Sequence, residues 1–271
     1  MSRRVLITGA ASGIGQAAAA DLRRRGARVV GLDLAGDEEA GIVACDVTDP
    51  DAVERAVAEA TRRLGGGLDV LVNNAGVGFS QSAGQAPDAT ALRVIDVNLI
   101  GPWRVTAAAL PALFEADGRG RVVNVASGLA FLTVPFATAY TISKRGIVAY
   151  SDSLRLEHGD RIDVTTVYPG YVKTPIHAPS AEDGFALDGV VPEEPLAAAA
   201  RTLARAALGR PVRDLATTRR GGVEYAFLRR MPRRLVDRAT IAYLRRLVQR
   251  GSFAESRLAG DFVRRLRAAE R

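Results

Sequence analysis

The sequence predicts a doubly wound α/β fold: one parallel sheet with helices on both faces, followed by a basic helical extension. Three observations carry this expectation. Short β-rich runs alternate with helical stretches through the first 217 residues. Those runs are apolar almost without interruption, as strands covered on both faces must be. The chain has 271 residues, 48% of them hydrophobic, enough to build a large core without staples. Cys45 is the only cysteine, which rules out an intramolecular disulfide.

Taken in order, residues 4–8 (RVLIT) read as a first strand that stops at Gly9, and a helix runs from Gly13 to about Arg25 before Gly26. Strands follow at 28–33 and 42–46, then a helix at 49–65 opened by Asp49 or Pro50 and closed by Gly65, with Val53, Val57 and Leu64 at helical spacing. A buried strand at 68–76 ends in a turn, and one long helical stretch is expected from Ala89 to Ala116. Strand 121–127, helix 138–157, strand 161–170, helix 193–208 and a short run around Leu215 complete the alternation. Residues 176–195, rich in Pro, Gly and acidic groups, read as a long mobile loop. The expected division is a catalytic domain over 1–217 with residues 218–271 as its extension.

Charge separates the same two regions. The net charge is +7, but residues 218–271 hold 15 arginines against 5 acids, leaving 22 basic and 25 acidic groups in 1–217. Only Lys144 and Lys173 are lysines. No window approaches 18 uncharged apolar residues, and the apolar stretch of MSRRVLITGA is too short for a signal-peptide core, so a cytoplasmic location is expected. In the tail, Val236, Tyr243 and Leu247 fall at i, i+7 and i+11 with Leu244 and Val248 beside them, and Leu258, Phe262 and Leu266 mark a further face. Such basic amphipathic helices pack on the body, cap a neighbouring subunit, or lie on an anionic membrane surface. No nucleic-acid motif accompanies them, so no nucleic-acid partner is expected. His158 and His177 have no metal-ligand spacing around them, and no metal is expected.

The first strand leads into T8-G-A-A-S-G-I-G15. Gly9, Gly13 and Gly15 allow a tight turn and close approach to a pyrophosphate, with the helix starting near Ile14 aiming its amides and positive dipole end at that group. A glycine triplet alone is also compatible with a plain turn, but here it lies between a strand and a helix. Asp33 ends the next strand about twenty residues on, where a carboxylate accepts from ribose hydroxyls in a Rossmann-type dinucleotide site; the alternative is a turn aspartate before Gly36. That carboxylate repels a 2′-phosphate, and neither Leu34 nor Ser12 is basic, so NAD is expected over NADP. Asp46 and Val47 are placed to meet the adenine edge. Asn73 and Asn74, with Ala75 and Gly76, read either as amides fixing the backbone around the cofactor or as an ordinary turn.

Y140-T-I-S-K144 places a phenol and an ammonium one helical turn apart, so the cation is expected to lower the phenol's pKa. Ser127, thirteen residues earlier, leaves a strand at the crevice and offers a hydroxyl to a substrate oxygen. Asn98, in DVNLIG, is by itself an ordinary helical polar residue. Together these motifs, TGxxxGIG, NNAG, Ser127, YxxxK and PG in that order over residues 3–217, resemble the short-chain dehydrogenase/reductase family. The resemblance implies an NAD(P)-dependent oxidoreductase interconverting a secondary alcohol and a ketone. It implies Tyr140 as general acid/base, Ser127 as ligand of the substrate oxygen, Lys144 bonded to the nicotinamide ribose and acting on Tyr140, and Asn98 holding a water in the proton relay. Tyr168, Pro169, Gly170, Tyr171, Val172 and Thr174 would line the nicotinamide end. It also implies a homodimer or homotetramer through helices 89–116 and 138–157. The family often carries a VDGG-like last strand; this chain has DLATTRRGGVEYAF instead, which puts the tetramer contact through that strand in doubt. Residues after Ser127 (GLAFLTVPF), with Phe79, Tyr171 and Ile176, suggest a hydrophobic steroid, lipid or aromatic substrate under a lid at 176–195. A non-catalytic nicotinamide-binding regulator and a protein whose tail mediates association are the alternatives from other classes.

Overall fold

The computed structural model describes residues 2–182, 192–253, 256 and 258–268. Seven strands form one parallel sheet: β1 (Arg4–Thr8), β2 (Arg28–Asp33), β3 (Ile42–Ala44), β4 (Val70–Asn73), β5 (Gly120–Val125), β6 (Ile162–Tyr168) and β7 (Asp214–Ala216), in the order β3-β2-β1-β4-β5-β6-β7. Both faces are apolar because both are covered. Leu6, Leu71, Val122 and Val164 pack towards α2 (Pro50–Arg63) and α4 (Gly101–Phe114). Val5, Ile7, Val72, Val123 and Val167 pack towards α1 (Gly13–Arg24) and α7 (Leu196–Leu208). The register that aligns Val5 with Val70 and Leu71 with Val122 keeps this alternation in step across the sheet. The chain reverses its direction of travel across the sheet between β1 and β4, and the carboxyl ends of those strands open into the crevice that such a switch creates.

Several boundaries differ from expectation for identifiable reasons. The helical stretch from Ala89 is not continuous: α3 (Ala89–Ile95) passes through a π turn (Asp96–Ile100) into α4, with Gly101 N donating to Asp96 O. Pro102, which has no N–H, sits at the start of α4. The third and sixth strands stop two residues early, at Ala44 and Tyr168, and α7 begins only after Pro195. Asp49 does cap α2, accepting from Asp51 N and Ala52 N. Of the expected mobile loop, Pro175–His177 form a 3₁₀ turn and Ala178–Glu182 form α6, while 183–191 lie outside the described residues. Glu194, at the end of that segment, is tied down rather than loose: it accepts from Gly170 N at 2.9 Å, from Thr218 Oγ1 at 2.8 Å and from Thr217 Oγ1.

The basic tail forms α8 (Arg219–Arg230), α9 (Arg233–Gln249) and α10 (Gly260–Ala268). Its apolar face turns inward. Leu244, Leu247, Val248, Val263 and Leu266 bury themselves around Phe136, whose ring meets Phe262 edge-on at 5.6 Å. Much of that apolar face is thus used in packing, while Val223, Phe227, Leu235 and Tyr243 of the tail remain exposed. Arg229 pairs with Asp214 at 3.1 Å and stacks 4.8 Å from the Phe131 ring, and Arg233 donates to Phe131 O at 3.2 Å. Phe136 itself adopts φ +64°, a left-handed conformation that costs a non-glycine residue on the order of 1–3 kcal/mol. Its carbonyl accepts from Gln81 N at 2.8 Å, and the tail covers its ring. Among the described residues no helix is long and apolar enough to cross a membrane. Leu266→Asp is expected to undock α10 and raise the rate of tryptic cleavage at the tail arginines by at least roughly tenfold, measured by limited proteolysis of the native protein.

Candidate active site

A cleft of about 840 Å³ opens over the carboxyl ends of the strands, within the range of small-molecule and cofactor sites. Its first wall is the turn after β1. Gly9 has φ +67°, and a Cβ there would come within 2.8 Å of the Ala75 Cα, so the turn tolerates no side chain. Gly15 is buried and packs the helix against the strand; a Cβ on it would sit 2.5 Å from Asn74 Nδ2. It is a close-packing position, while Gly9, Ser12, Gly13 and Ile14 face the cleft. Ser12 caps α1 with no side-chain hydrogen bond, so the first-turn amides remain available to an anion.

The turn is braced from the next strands. Thr8 Oγ1 accepts from Asn74 N at 3.0 Å and from Ala75 N at 2.9 Å. Asn74 Nδ2 donates back to Thr8 O at 3.0 Å and Gly9 O at 3.2 Å. Asp33 Oδ2 accepts from Ala11 N, and Oδ1 from Leu34 N, each at 2.8 Å. Asp46 lies beyond it with Val47 in the same wall; hydrogen bonds from Thr48 hold its carboxylate below the ordinary range, helped by Arg93 at 3.7 Å. Asn73, by contrast, belongs to the core, where its amide donates to Thr106 Oγ1 and Asn124 Oδ1. An open-amide helix start, a glycine turn without room for a side chain and a carboxylate at the β2 end fit a dinucleotide, and Gly9, Ser12, Gly13, Asp33, Asn74, Ala75 and Gly76 are the residues that would hold it.

At the other end of the cleft stand Ser127, Tyr140 and Lys144. Ser127 leaves β5 and caps a 3₁₀ turn (Gly128–Ala130), its Oγ accepting from Leu129 N at 3.2 Å. Tyr140 and Lys144 lie one turn apart on α5 (Thr138–His158). The Lys144 ammonium is buried, donates to Val125 O at 3.0 Å and lies 5.6 Å from the Tyr140 ring centre. Desolvation pushes its pKa down to about 8. The effect on Tyr140 differs from the sequence expectation. Burial holds the phenol above its ordinary value, and the opposing influence is a hydrogen bond with Ser127. Asn98, in the π turn, is buried. Its Oδ1 accepts from Val77 N at 2.8 Å, and its Nδ2 donates to Val77 O at 2.9 Å and to Ser143 Oγ at 3.3 Å. Asn98 and Lys144 converge on Gly76, where a Cβ would come within 3.2 Å of Asn98 Oδ1 and 3.6 Å of Lys144 Nζ.

Pro169, Gly170, Tyr171, Val172 and Thr174 line the cleft; Tyr168 does not. It is buried with Phe131 and donates to Asp214 Oδ1 at 2.8 Å, because strand alternation points it to the opposite face from Val167. Among the apolar candidates Leu129, Leu132, Val134 and Ile176 line the cleft, whereas Phe79 packs with Ala91, Val94 and Ala139, and Phe131 and Phe136 turn into the body. The tail supplies lining that sequence reasoning missed: Tyr225 and Leu228 from α8, and Thr240, Leu244 and Leu247 from α9. The apolar stripe of α9 was a signal for some of these residues; Tyr225 and Glu194 carry none.

Residues 3–184 match the family model of the short chain dehydrogenases. The chain therefore belongs to the short-chain dehydrogenase/reductase family of oxidoreductases, whose members bind a nicotinamide cofactor and act on small molecules. It is 32% identical over 210 residues to a D-beta-hydroxybutyrate dehydrogenase of Rhizobium meliloti, covering 72% of this chain and 81% of that one. It is 38% identical over 228 residues to a putative ketoacyl reductase of Streptomyces coelicolor, covering 78% and 85%. Among solved structures it resembles ligand-free aldohexose dehydrogenase of Thermoplasma acidophilum, with TM-score 0.72, 26% identity, and 82% and 94% of the two chains covered. A 3-ketoacyl-(acyl-carrier-protein) reductase of Brucella melitensis in complex with NADH gives TM-score 0.69 at 26% identity, covering 79% and 95%.

The depressed Lys144 pKa has a stability consequence. The native state releases this proton near pH 8 and the unfolded chain near 10.5, so across that window the unfolded state holds more protons and stability rises with pH. Lys144→Met is expected to flatten that rise in urea unfolding measured from pH 8 to 10.

Proposed function

We propose that the protein interconverts a hydrophobic secondary alcohol and its ketone with NAD, using Tyr140 as general acid/base. The observation that carries this reading is that Ser127, Tyr140 and Lys144 line the same cleft as the glycine turn, with Lys144 and Asn98 meeting at Gly76. The nicotinamide, when bound, supplies the acceptor or donor for hydride. The chain's own groups handle the oxygen and its proton. Ser127 donates a hydrogen bond to the substrate oxygen and holds it against the Tyr140 phenol. In oxidation Tyr140 takes the alcohol proton; in reduction it returns one to the oxygen as negative charge builds there. Lys144, fixed by Val125 O, keeps a cation beside the phenol and the ribose position, and Asn98 anchors Val77 and the end of the proton path. Gly15 supports the cradle from behind, and Asp46 and Val47 meet the adenine end.

NAD is favoured because Asp33 presents a carboxylate at the ribose position with Leu34 beside it. The apolar lining from Leu129, Leu132, Ile176, Leu244 and Leu247 supports a hydrophobic substrate. Exposed Trp103 on α4 and Ile142 and Leu156 on α5 support a homo-oligomer through those helices.

Tyr140→Phe is expected to lower kcat by about 10²–10⁴-fold with NAD affinity unchanged, followed at the reduced-nicotinamide absorbance with hydrophobic secondary alcohols. Unaltered turnover in this variant would overturn the reading. Because burial raises the phenol pKa, alcohol oxidation by the wild type is expected to accelerate with rising pH through the alkaline range. Asp33→Asn keeps the acceptor for Ala11 N and removes the charge, and is expected to raise NADP use relative to NAD by about tenfold in kcat/KM.

A further inference from the structure

Besides Tyr140 the cleft is lined by phenols that the reaction above leaves unused, Tyr225 among them. Tyr225 lies on α8, outside the residues that match the family, and its side chain lines the cleft. Its ring packs in a three-ring cluster, 5.0 Å from Phe131 and 6.3 Å from Tyr168. A Cβ on Gly128 would come within 2.9 Å of Tyr225 Cζ and nearer still to its oxygen, so the hydroxyl lies against the residue that follows Ser127. Adjacent Cα atoms are about 3.8 Å apart, which places this oxygen within about 8 Å of the Ser127 Cα. Among the described residues the Tyr225 hydroxyl has no hydrogen-bond partner. Its surroundings keep it a donor: burial and the charges of Glu194 and Glu224 hold the phenol well above its ordinary pKa. Leu228, Leu244 and Leu247 beside it offer no acceptor, and the carboxylates of Glu194 and Glu224 in the same lining accept from Gly170, Thr217, Thr218 and Arg220 instead. A half-buried donor in such company gains most from an oxygen brought by the ligand.

We propose that Tyr225 determines specificity by donating a hydrogen bond to a second oxygen of the substrate, a few bonds from the reacting carbon. The preferred substrates are then apolar alcohols or ketones that carry a second oxygen function within reach of that hydroxyl. This rests on the assignment of Ser127 and Tyr140 as the reacting end, and the test separates the two claims.

A medium-chain 3-oxo ester and the 2-alkanone of the same length form the probe pair. Calorimetric titration with NADH present, in the inactive Tyr140→Phe background, reads binding without turnover. With Tyr225 intact, the ester is expected to bind about three- to tenfold more tightly than the alkanone, and adding Tyr225→Phe is expected to abolish that difference while alkanone affinity stays constant. Phenylalanine keeps the ring stack, so an unchanged unfolding midpoint is expected. No discrimination between the two ketones, undetectable binding of both, or an equal loss for both in the variant would overturn the role of Tyr225. Turnover of either ketone that survives Tyr140→Phe would instead overturn the catalytic assignment.

Discussion

The carboxyl ends of the parallel strands β1 and β4, between which the chain's progress across the sheet reverses, are held together by a few polar atoms. Thr8 receives two backbone amides from Asn74 and Ala75, and the Asn74 amide returns to the backbone of Thr8 and Gly9. The crevice exists because the chain diverges here, and these bonds keep its two lips at a fixed separation. Everything else in the site is built from that reference: the helix start on one side, Gly76 with Asn98 and Lys144 on the other, and the turn after β5 across from them. Side chains are excluded from the junction by contact, as the positions of Gly9 and Gly15 show.

The reacting end depends on a different balance. Lys144 and Tyr140 are both taken out of water, which weakens the charged form of each. The geometry opposes that loss with single, well-placed partners: Val125 O for the ammonium and Ser127 for the phenol. Burial thus favours the neutral phenol and makes the ammonium a readier proton donor than it would be in water, so the two groups are pushed apart in their proton affinities.

The sheet was readable from the chain because its strands are buried on both sides and so are continuously apolar. The glycine turn, Asp33, Ser127 and the Tyr140–Lys144 spacing were readable because each function demands a residue type at a fixed local offset. What was not readable depends on distant partners. The interruption at Asp96–Ile100 changes only which carbonyl each amide reaches, and composition does not register that. Glu194 lies in a stretch whose acids and prolines look solvated, yet its partners come from residues 170, 217 and 218. The stripe on α9 announced an apolar face without saying that Phe136 and the cleft would meet it. Tyr168 was grouped with the lining by its neighbours in the chain, when the pleat sends it the other way.

Phe136 lies two residues before the helix that carries Tyr140, in a backbone conformation that the tail helps to hold. The extension and the catalytic helix therefore constitute one heritable unit. A lineage that shortened or exchanged residues 233–268 would have to rebuild the loop at 131–137 in the same step, and a chimera that grafts a foreign tail must import that loop with it.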